Sequence, residues 1–237
     1  IICESIFDHR GKPKKKNFIK KDNYDDKKVK YFLLEEPFPE NTSIWQNQAI
    51  QREFLLKSTD FADKEDFIFF SDPDEIPRPE LLSNFKLDKK YGIFMQSCFN
   101  FKFNLFNKYE NPWEGTRVSK KKNLKSIDFM RQKVRSKNLK YKFYRFDKEK
   151  NIQIFDNAGW HFNNIISPEE ISLKLKTFAH SEFADDKYSS PKVIKKKIDL
   201  RMDLFERGHI YQKKEIDNTF PKYLIDNQDK FKKFIIS

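Results

Sequence analysis

The stretch FIFFSDPDEIP, residues 67–77, decides the fold class. Its first four residues form an unbroken apolar run of strand length, which predicts a parallel strand that is buried on both faces. Asp72, Asp74 and Glu75 follow this strand directly, and the proline between the two aspartates stiffens the turn. Because open α/β sheets bind ligands beyond the carboxyl ends of their strands, the stretch predicts an α/β protein with a ligand site at this turn.

Asp72 and Asp74 are two residues apart, so both carboxylates can face one divalent cation. Hard oxygen ligands of this kind suit Mg²⁺ or Mn²⁺ that also contacts a substrate phosphate. The local sequence leaves a second interpretation open, in which the acidic turn only caps the next helix. Asp72, Asp74 and Glu75 are also expected to repel one another without a cation, so removing the charge of Asp74 should leave stability unchanged or raise it.

Hydrophobic periodicity divides the rest of the chain into strands and helices. Strands are predicted at residues 1–4, 29–34 and 93–106 and, as a pair, at 141–146 and 152–155. Helices are predicted at 44–57, after a capping box at 167–170, and after Ser190 and Pro191, the last with Gly208 as its stop. No repeat or long linker interrupts this order, so residues 1–237 are predicted to form one mixed α/β domain.

The chain of 237 residues is basic, with a formal net charge of +12. Such an excess suits a polyanionic partner, which would be a nucleic acid, an anionic membrane surface or a phosphorylated substrate. Base-reading proteins depend on arginine, whereas this chain has 39 lysines and 9 arginines and no zinc-finger or RNP pattern. The composition therefore predicts no specific nucleic-acid partner, and it leaves peripheral membrane contact through the lysines open.

The sequence also bears on the compartment. No apolar run reaches the roughly 18 residues that span a bilayer, so no transmembrane segment is predicted. Cys3 and Cys98 lie far apart and suggest neither a disulfide framework nor a zinc site. A reducing, cytoplasmic location is the default expectation for such a chain.

Two further segments carry residues suited to chemistry. Residues 157–162 read NAGWHF, and their histidine, His161, could be a ligand, an acid/base group or a diphosphate donor, although a structural role is the more frequent one. Residues 111–117 read NPWEGTR, in which a tryptophan face beside glycine and arginine suits sugar stacking and phosphate pairing, and equally suits a plain loop.

Together and in order, these segments resemble glycosyltransferase family 17, the β-1,4-mannosyl-glycoprotein 4-β-N-acetylglucosaminyltransferases, including its bacterial members. The family's Asp-x-Asp-Glu-Ile-Pro, Trp-x-Gly-Thr and Ala-Gly-Trp-His-Phe motifs are matched by residues 72–77, 113–116 and 158–162. Shorter matches are found at residues 1–4 and 11–14, at Trp45, Gln51 and Arg52, at Lys174 and 178–182, and at Pro221, Tyr223 and Asn227. The resemblance covers essentially the whole chain, with one departure at Gln48, where the family is expected to have glutamate.

The resemblance implies a type-A nucleotide-sugar glycosyltransferase (GT-A) fold, with a Rossmann-like mixed central sheet. Family members have one more strand and helix before the segment that matches residues 1–4, so the resemblance implies an N-terminally incomplete domain with an unfilled slot beside the strand at Phe67. The family transfers N-acetylglucosamine from UDP-GlcNAc to a glycan hydroxyl with inversion. The expected partners are therefore a UDP-sugar, a glycan acceptor and Mn²⁺ or Mg²⁺, with a Golgi location for a eukaryotic member and a cytoplasmic or membrane-associated one otherwise.

The resemblance also implies roles for individual residues. An inverting displacement needs a base within about 3 Å of the acceptor hydroxyl, for which Glu182 and His161 are the candidates, followed by Asp156 and Glu114. The metal is expected on Asp74, with Asp72 and His180 as further ligands. The donor is expected at Glu4, Lys12, Gln51, Arg52, Asp72 and Arg117, and the acceptor at Trp113 and Trp160.

Two alternatives from other classes remain at this point. Haloacid-dehalogenase-like phosphatases also open on a strand that ends in Asp-x-Asp, but they need Thr or Val where this chain has Ile76. The other alternative is a non-catalytic module that binds glycans or polyanions on the same fold.

Overall fold

The main sheet is mixed and curled around one long strand. A computed structural model describes residues 1–20, 24–25, 27–177 and 185–236. The central strand, β5, spans Tyr91–Asn100. Its first half lies between β7 (Trp113–Lys120), which is antiparallel, and β8 (Ile152–Phe155), which is parallel. Its second half pairs in parallel with β9 (Gly159–Asn163).

Four shorter strands complete this sheet. They are β3 (Phe67–Phe70), β4 (Glu75–Pro77), β6 (Leu105–Phe106) and β10 (Gln212–Lys213). β3 pairs antiparallel with β7, β4 pairs antiparallel with β9, and β6 pairs antiparallel with both β5 and β10. The acidic turn of the sequence connects β3 to β4, so it lies between the two halves of the sheet.

A separate two-stranded parallel sheet is formed by β1 (Ile2–Ser5) and β2 (Tyr31–Leu34). Helix α1 (Ile44–Lys57) begins at a capping box, in which Ser43 and Gln46 each bond the other's backbone, and it packs against β1, β2 and α3. The remaining helices are α2 (Pro79–Leu82), α3 (Ile127–Gln132), α4 (Pro168–Thr177), α5 (Asp186–Ser189), α6 (Pro191–Asp199) and α7 (Lys222–Asp226). The architecture is thus mixed α/β, as the sequence predicts.

A cavity of about 510 Å³ lies between the C-terminal end of α1 and the edge strand β3 of the main sheet. Its lining includes Ile1, residues 66–71 of the β3 segment, and Leu55, Phe61 and Ile127. Within the described residues β1 pairs only with β2, and β3 pairs only with β7. The edge of β3 therefore borders this cavity, and Ile1, the residue before β1, is a further part of its lining.

Several predicted elements are confirmed with small shifts in their bounds. α1 has the predicted bounds, and α4 begins at the predicted capping box, where Ser167 and Glu170 bond each other's backbone. Ile194 and Ile198 of α6 are buried, as the helical spacing predicts. These segments are predictable because their caps and apolar faces depend on residues that are close in sequence.

Four local predictions are wrong. β3 is an antiparallel edge strand with Phe69 36 % exposed, and not a parallel strand buried on both faces. The long strand ends at Asn100, because Phe101 adopts a φ of 66° and turns the chain. Residues 141–146 form turns without a strand, and β8 pairs with β5 instead. α6 ends at Asp199, well before Gly208.

The backbone of Gly159 gives the first testable prediction. Gly159 has a φ of 142°, and a Cβ atom there would lie 2.1 Å from the carbonyl oxygen of Ile76 on β4. Gly159→Ala should therefore lower the free energy of unfolding in urea by at least about 1–3 kcal/mol. Gly208→Ala is the matched control, because Gly208 also has a positive φ, of 76°, but no atom within 4 Å of its Cβ position. Equal losses of unfolding free energy in both variants would show that the close packing of β9 on β4 is not the cause of the loss at Gly159.

Candidate functional site

The acidic turn is held in place by the strand next to it. The hydroxyl groups of Ser71 and Thr116 lie 2.7 Å apart, which connects the end of β3 to β7. The Glu75 N–H donates to the carbonyl oxygen of Asp72 across the turn at 3.0 Å. Thr116 belongs to the Trp-x-Gly-Thr segment, so that segment supports the acidic turn from the neighbouring strand. Its glycine, Gly115, is needed because a Cβ atom there would overlap the side chain of Gln96.

The Glu75 side chain is fully buried and is the centre of the site's hydrogen bonds. It accepts from the Trp113 indole N–H at 2.8 Å and from the Asp72 N–H at 3.1 Å, and it pairs with Arg131 at 2.9 Å. Burial raises the pKa of Glu75, with help from the charge of Asp72, while Arg131 and the indole N–H oppose the shift. Glu75 therefore connects the acidic turn, β7 and α3.

Arg131 also pairs with Asp72, at 2.6 Å. The Arg131 side chain is 11 % exposed, whereas the Asp72 side chain is 30 % exposed. One largely buried cation thus bridges two of the three acids of the turn. Sequence reasoning missed Arg131, because no local motif surrounds it and its partners are far away in the chain.

Asp74 faces His161, which lies opposite Glu75 in the ladder of β4 and β9. His161 Nε2 is 3.5 Å from Asp74 Oδ1, and on the other side of the ring Nδ1 is 3.6 Å from the sulfur of Cys98. Burial raises the pKa of the Cys98 thiol, so the thiol is protonated at neutral pH. Both ring nitrogens of His161 therefore have protein partners, and Cys98 is a second site residue that sequence reasoning missed.

A stacked pair of rings forms one wall of the site. Trp113 lies parallel to His161, with ring centroids 4.3 Å apart and an interplanar angle of 13°. The Arg131 guanidinium lies 5.9 Å from the centroid of the Trp113 ring. Since Trp113 is partly exposed and also donates to Glu75, it connects the buried hydrogen bonds to the surface of the site.

The charges around Asp74 are mainly positive. Burial alone would raise the pKa of Asp74, but the hydrogen bond and charge of His161 and the charge of Lys174 lower it below its ordinary value. Burial lowers the pKa of Lys174, and Asp74 and Asp72 oppose that shift. The predicted repulsion within the acidic turn is therefore outweighed at Asp74 by neighbouring cations.

Two residues that are predicted to bind the nucleotide-sugar donor, Glu4 and Arg117, instead form hydrogen bonds and ion pairs inside the protein. Glu4 accepts hydrogen bonds from the side chains of Lys14 and Tyr31 and the backbone N–H groups of Asn17 and Phe18, at 2.7–3.1 Å. Burial alone would raise the pKa of Glu4, but the hydrogen bonds and the charge of Lys14 lower it to about 2. The structure corrects the prediction, because Glu4 organises the loop after β1.

Arg117 is only 1 % exposed, so it cannot present its guanidinium to a phosphate. It donates to the carbonyl oxygens of Val134, Glu114 and Gly115 and pairs with the Glu114 carboxylate at 3.1 Å. Burial lowers the pKa of Arg117 to about 10, and the charge of Arg131 adds to this. Arg117 is therefore a core residue, which corrects its predicted role in donor binding.

The other predicted donor residues lie on the β1–β2 side of the molecule. Lys12 is exposed in a turn that is closed by Asp8. On α1, the Gln51 side chain lies 3.1 Å from the His9 ring, and Arg52 pairs with Asp128 of α3 at 3.4 Å. These contacts hold α1 against its neighbours and do not reach the acidic turn.

Trp160 lies on the opposite face of the sheet from His161, because successive side chains of β9 alternate between faces. It is 3 % exposed and donates to the carbonyl oxygen of Thr219 at 3.0 Å, and the Arg78 guanidinium lies 4.4 Å above its ring. It borders a second cavity, of about 680 Å³, on that reverse face. The prediction that Trp160 and Trp113 share an acceptor site is therefore wrong.

The predicted bases are distributed as follows. Glu114 pairs with Arg117 and Arg135 and accepts from Ser136, so its carboxylate is engaged. Asp156 is exposed in the turn between β8 and β9. Glu182 and His180 lie outside the described residues, so the structure says nothing about their predicted roles as base and metal ligand.

The side chains at the acidic turn fit a divalent cation only in part. Within the described residues no group of three or more His, Cys, Asp and Glu could hold a metal ion. Asp72 is already paired with Arg131, and Asp74, with its side chain 31 % exposed, is the remaining carboxylate of the motif. Since Mg²⁺ is often bound by one or two carboxylates together with substrate phosphates, Asp74 fits an ion that the substrate helps to hold.

Comparisons with protein-family models, curated proteins and solved structures find no match to the chain. The family resemblance therefore depends on the motifs alone. None of the helices among the described residues has the length and apolar character needed to cross a membrane.

The central role of Glu75 predicts a large effect of its removal. Glu75→Ala should lower the free energy of unfolding by about 3–5 kcal/mol, because it leaves the largely buried Arg131 with one partner fewer and the Trp113 N–H without its acceptor. Glu75→Gln keeps an acceptor for that N–H and should cost clearly less. Glu65→Ala is the control, since Glu65 pairs with Lys120 and Lys122 at an exposed position and its loss should hardly change stability. Urea unfolding of the three variants is the measurement. If Glu75→Ala loses no more stability than Glu65→Ala, Glu75 does not hold the acidic turn, β7 and α3 together.

The charges around Asp74 predict how its stability contribution depends on pH. Because the folded-state pKa of Asp74 is lowered, its carboxylate stabilises the fold above the unfolded-state pKa of about 4, and this contribution is lost as the pH falls through the folded-state pKa. Asp74→Asn should therefore reduce stability by about 1 kcal/mol at pH 7 and by progressively less below pH ~4. Urea unfolding of both proteins across this range is the measurement. A variant that is more stable than the wild type at pH 7 would restore the repulsion hypothesis.

Proposed function

We propose that the protein is a glycosyltransferase that moves a sugar from a nucleotide-diphosphate donor to a glycan hydroxyl with inversion. N-acetylglucosamine from UDP-GlcNAc is the proposed donor, on the basis of the motif resemblance. The observation that carries the proposal is the arrangement at the acidic turn. Two partly exposed aspartates lie there, of which Asp72 pairs with Arg131 and Asp74 faces His161 and feels the charge of Lys174. The Trp113 ring stacks on His161 and lies 5.9 Å from the Arg131 guanidinium.

The proposed roles follow from charge and exposure. A departing nucleoside diphosphate carries negative charge, which Lys174 and Arg131 can partly neutralise. A divalent cation held by Asp74 and the diphosphate would add further Lewis-acid stabilisation of the leaving group. Asp72, held by Arg131, is proposed to accept a hydrogen bond from the donor's ribose. Trp113 offers an apolar ring against which a sugar can stack.

His161 is proposed as a positioning residue and not as the general base. Its two ring nitrogens face Asp74 and Cys98, so neither is directed at an acceptor hydroxyl. His161 instead orients the Asp74 carboxylate, while its ring stacks on the ring of Trp113. This leaves Glu182 as the proposed base, since Glu114 is engaged by two arginines.

The proposal includes a fold of the GT-A type. A GT-A fold would have one further strand between β1 and β3, and the cavity along the edge of β3, which within the described residues pairs only with β7, supports this. If such a strand belongs to the fold and lies outside these 237 residues, this chain is expected to bind UDP weakly, because the loop after that strand would contact the base. Tight UDP binding by this chain would count against the missing-strand hypothesis but not against the transferase.

The deciding experiment is a donor screen by thermal shift with UDP-, GDP- and CMP-sugars, with and without Mn²⁺, followed by a transfer assay. UDP-GlcNAc with Mn²⁺ should raise the melting temperature most, and Asp74→Asn should abolish both the metal-dependent shift and transfer. Glu65→Gln serves as the matched control, because it also removes one carboxylate charge but lies away from the turn. Near-normal transfer by Asp74→Asn in excess chelator would refute the proposed metal role.

The other functional classes predict different outcomes. Metal-dependent UDP binding without transfer to any glycan would indicate a non-catalytic module. A trapped aspartyl-phosphate detected by mass spectrometry would indicate the phosphatase. The 2.6 Å ion pair of Asp72 with Arg131 does not favour that chemistry, because it occupies the aspartate that would act as nucleophile.

A further inference from the structure

Residues 137–150, KNLKYKFYRFDKEK, form an exposed segment that is both aromatic and basic. A 3₁₀ helix (Ser136–Lys140) leads into a series of turns, where sequence periodicity predicts a strand. Phe143 and Phe146 are 85 % and 89 % exposed, the largest exposed fractions among the big apolar side chains of the described residues. Leu139, Tyr141 and Tyr144 nearby are also exposed. Five large apolar side chains within eight residues form a cluster that folding leaves in water, which is rare for a surface without a partner.

The charges of this segment are mostly positive. It contains six basic residues, Lys137, Lys140, Lys142, Arg145, Lys148 and Lys150, and two acidic ones. Asp147 pairs within the segment with Arg145 and Lys148, at 2.7 and 3.0 Å. Glu149 accepts a hydrogen bond from the backbone N–H of Asn151, just beyond the segment. The segment therefore presents a net positive surface around its rings, and its partner should be anionic.

We propose that the 137–150 segment docks the protein on an anionic lipid bilayer. Phe143 and Phe146 insert into the interface between headgroups and acyl chains, and the surrounding lysines contact acidic headgroups. Phenyl rings beside lysines are the combination that interfacial membrane segments use. A nucleic-acid surface fits less well, because five of the six cations are lysines and the rings lie on turns, not on a flat stacking platform.

The docking surface adjoins the candidate site. Ser136, at the start of the same 3₁₀ helix, donates its N–H to Glu114 at 3.2 Å, and Arg135 pairs with Glu114 at 2.9 Å. Glu114 lies on β7 next to Trp113. Docking would therefore hold the β7 end of the site near the membrane surface. The docking proposal itself does not depend on the proposed glycosyl transfer.

Co-sedimentation of the full chain with vesicles tests the proposal. Phosphatidylcholine vesicles with about 30 mol % phosphatidylserine should bind the protein, and vesicles of phosphatidylcholine alone should bind it at least about tenfold more weakly. Phe143→Ser with Phe146→Ser should weaken binding to the anionic vesicles by about tenfold or more. The matched control is Leu200→Ser with Ile210→Ser, which removes two other exposed apolar side chains and should leave binding unchanged.

A second pair of variants separates location from total charge. Replacing Lys137, Lys140 and Lys142 by glutamine should weaken binding, whereas replacing Lys195, Lys196 and Lys197 by glutamine removes the same charge elsewhere and should not. In Phe143→Trp, the indole fluorescence should shift to shorter wavelength with anionic vesicles and be quenched by brominated lipid.

Three results would overturn the proposal. Equal loss of binding in both lysine variants, or undiminished binding of the double serine variant, would mean that net charge alone is responsible. Binding to single-stranded RNA but not to vesicles would assign the segment to nucleic acid. Concentration-dependent self-association that disappears in the double serine variant, without vesicle binding, would make it a contact between copies of this chain.

Discussion

The buried carboxylate of Glu75 is the constraint on which the candidate site depends. It accepts from Trp113 on β7 and from the backbone of Asp72, and it pairs with Arg131 on α3. A charged carboxylate in the interior is costly unless it is paired and hydrogen-bonded, so these three partners must assemble for the chain to fold. The acidic motif thus contributes one residue to the core, and that residue connects the backbone of Asp72 to β7 and α3.

The environments of the two remaining acids differ as a consequence. Asp72 shares the Arg131 guanidinium with Glu75, whereas Asp74 faces His161 and Lys174. The ladder of β4 and β9 causes this separation, because it places His161 opposite Glu75 and brings Asp74 to the same edge. Asp72 and Glu75 therefore share one cation, and Asp74 lies beside different positively charged or hydrogen-bonding groups. A negatively charged ligand approaching this turn meets cations that the protein has already positioned.

The second organising feature is β5, which pairs with four other strands. Its first half positions β7 and therefore Trp113, and its second half positions β9 and therefore His161. The stacked rings of Trp113 and His161 meet across this strand. Alternation along β9 then directs Trp160 to the reverse face, into a cluster with Phe99, Phe162 and Phe220. The Ala-Gly-Trp-His-Phe motif thus supplies His161 to the site and Trp160 and Phe162 to the core.

The sequence by itself determined the features that depend on residues close in the chain. The capping boxes at Ser43 and Ser167, the apolar run at β3 and the acidic turn that follows it were all predictable, because caps, periodicity and turn chemistry act locally. Only the tertiary structure decided which strand lies beside β3, that Arg131 bridges Asp72 and Glu75, and that Glu4 and Arg117 are used inside the protein. It also left Phe143 and Phe146 in water, although the sequence predicts a strand over residues 141–146. The physical reason is common to all of these cases: ion pairing, strand pairing and burial depend on partners that are distant in sequence, and no local pattern specifies which partner a residue meets.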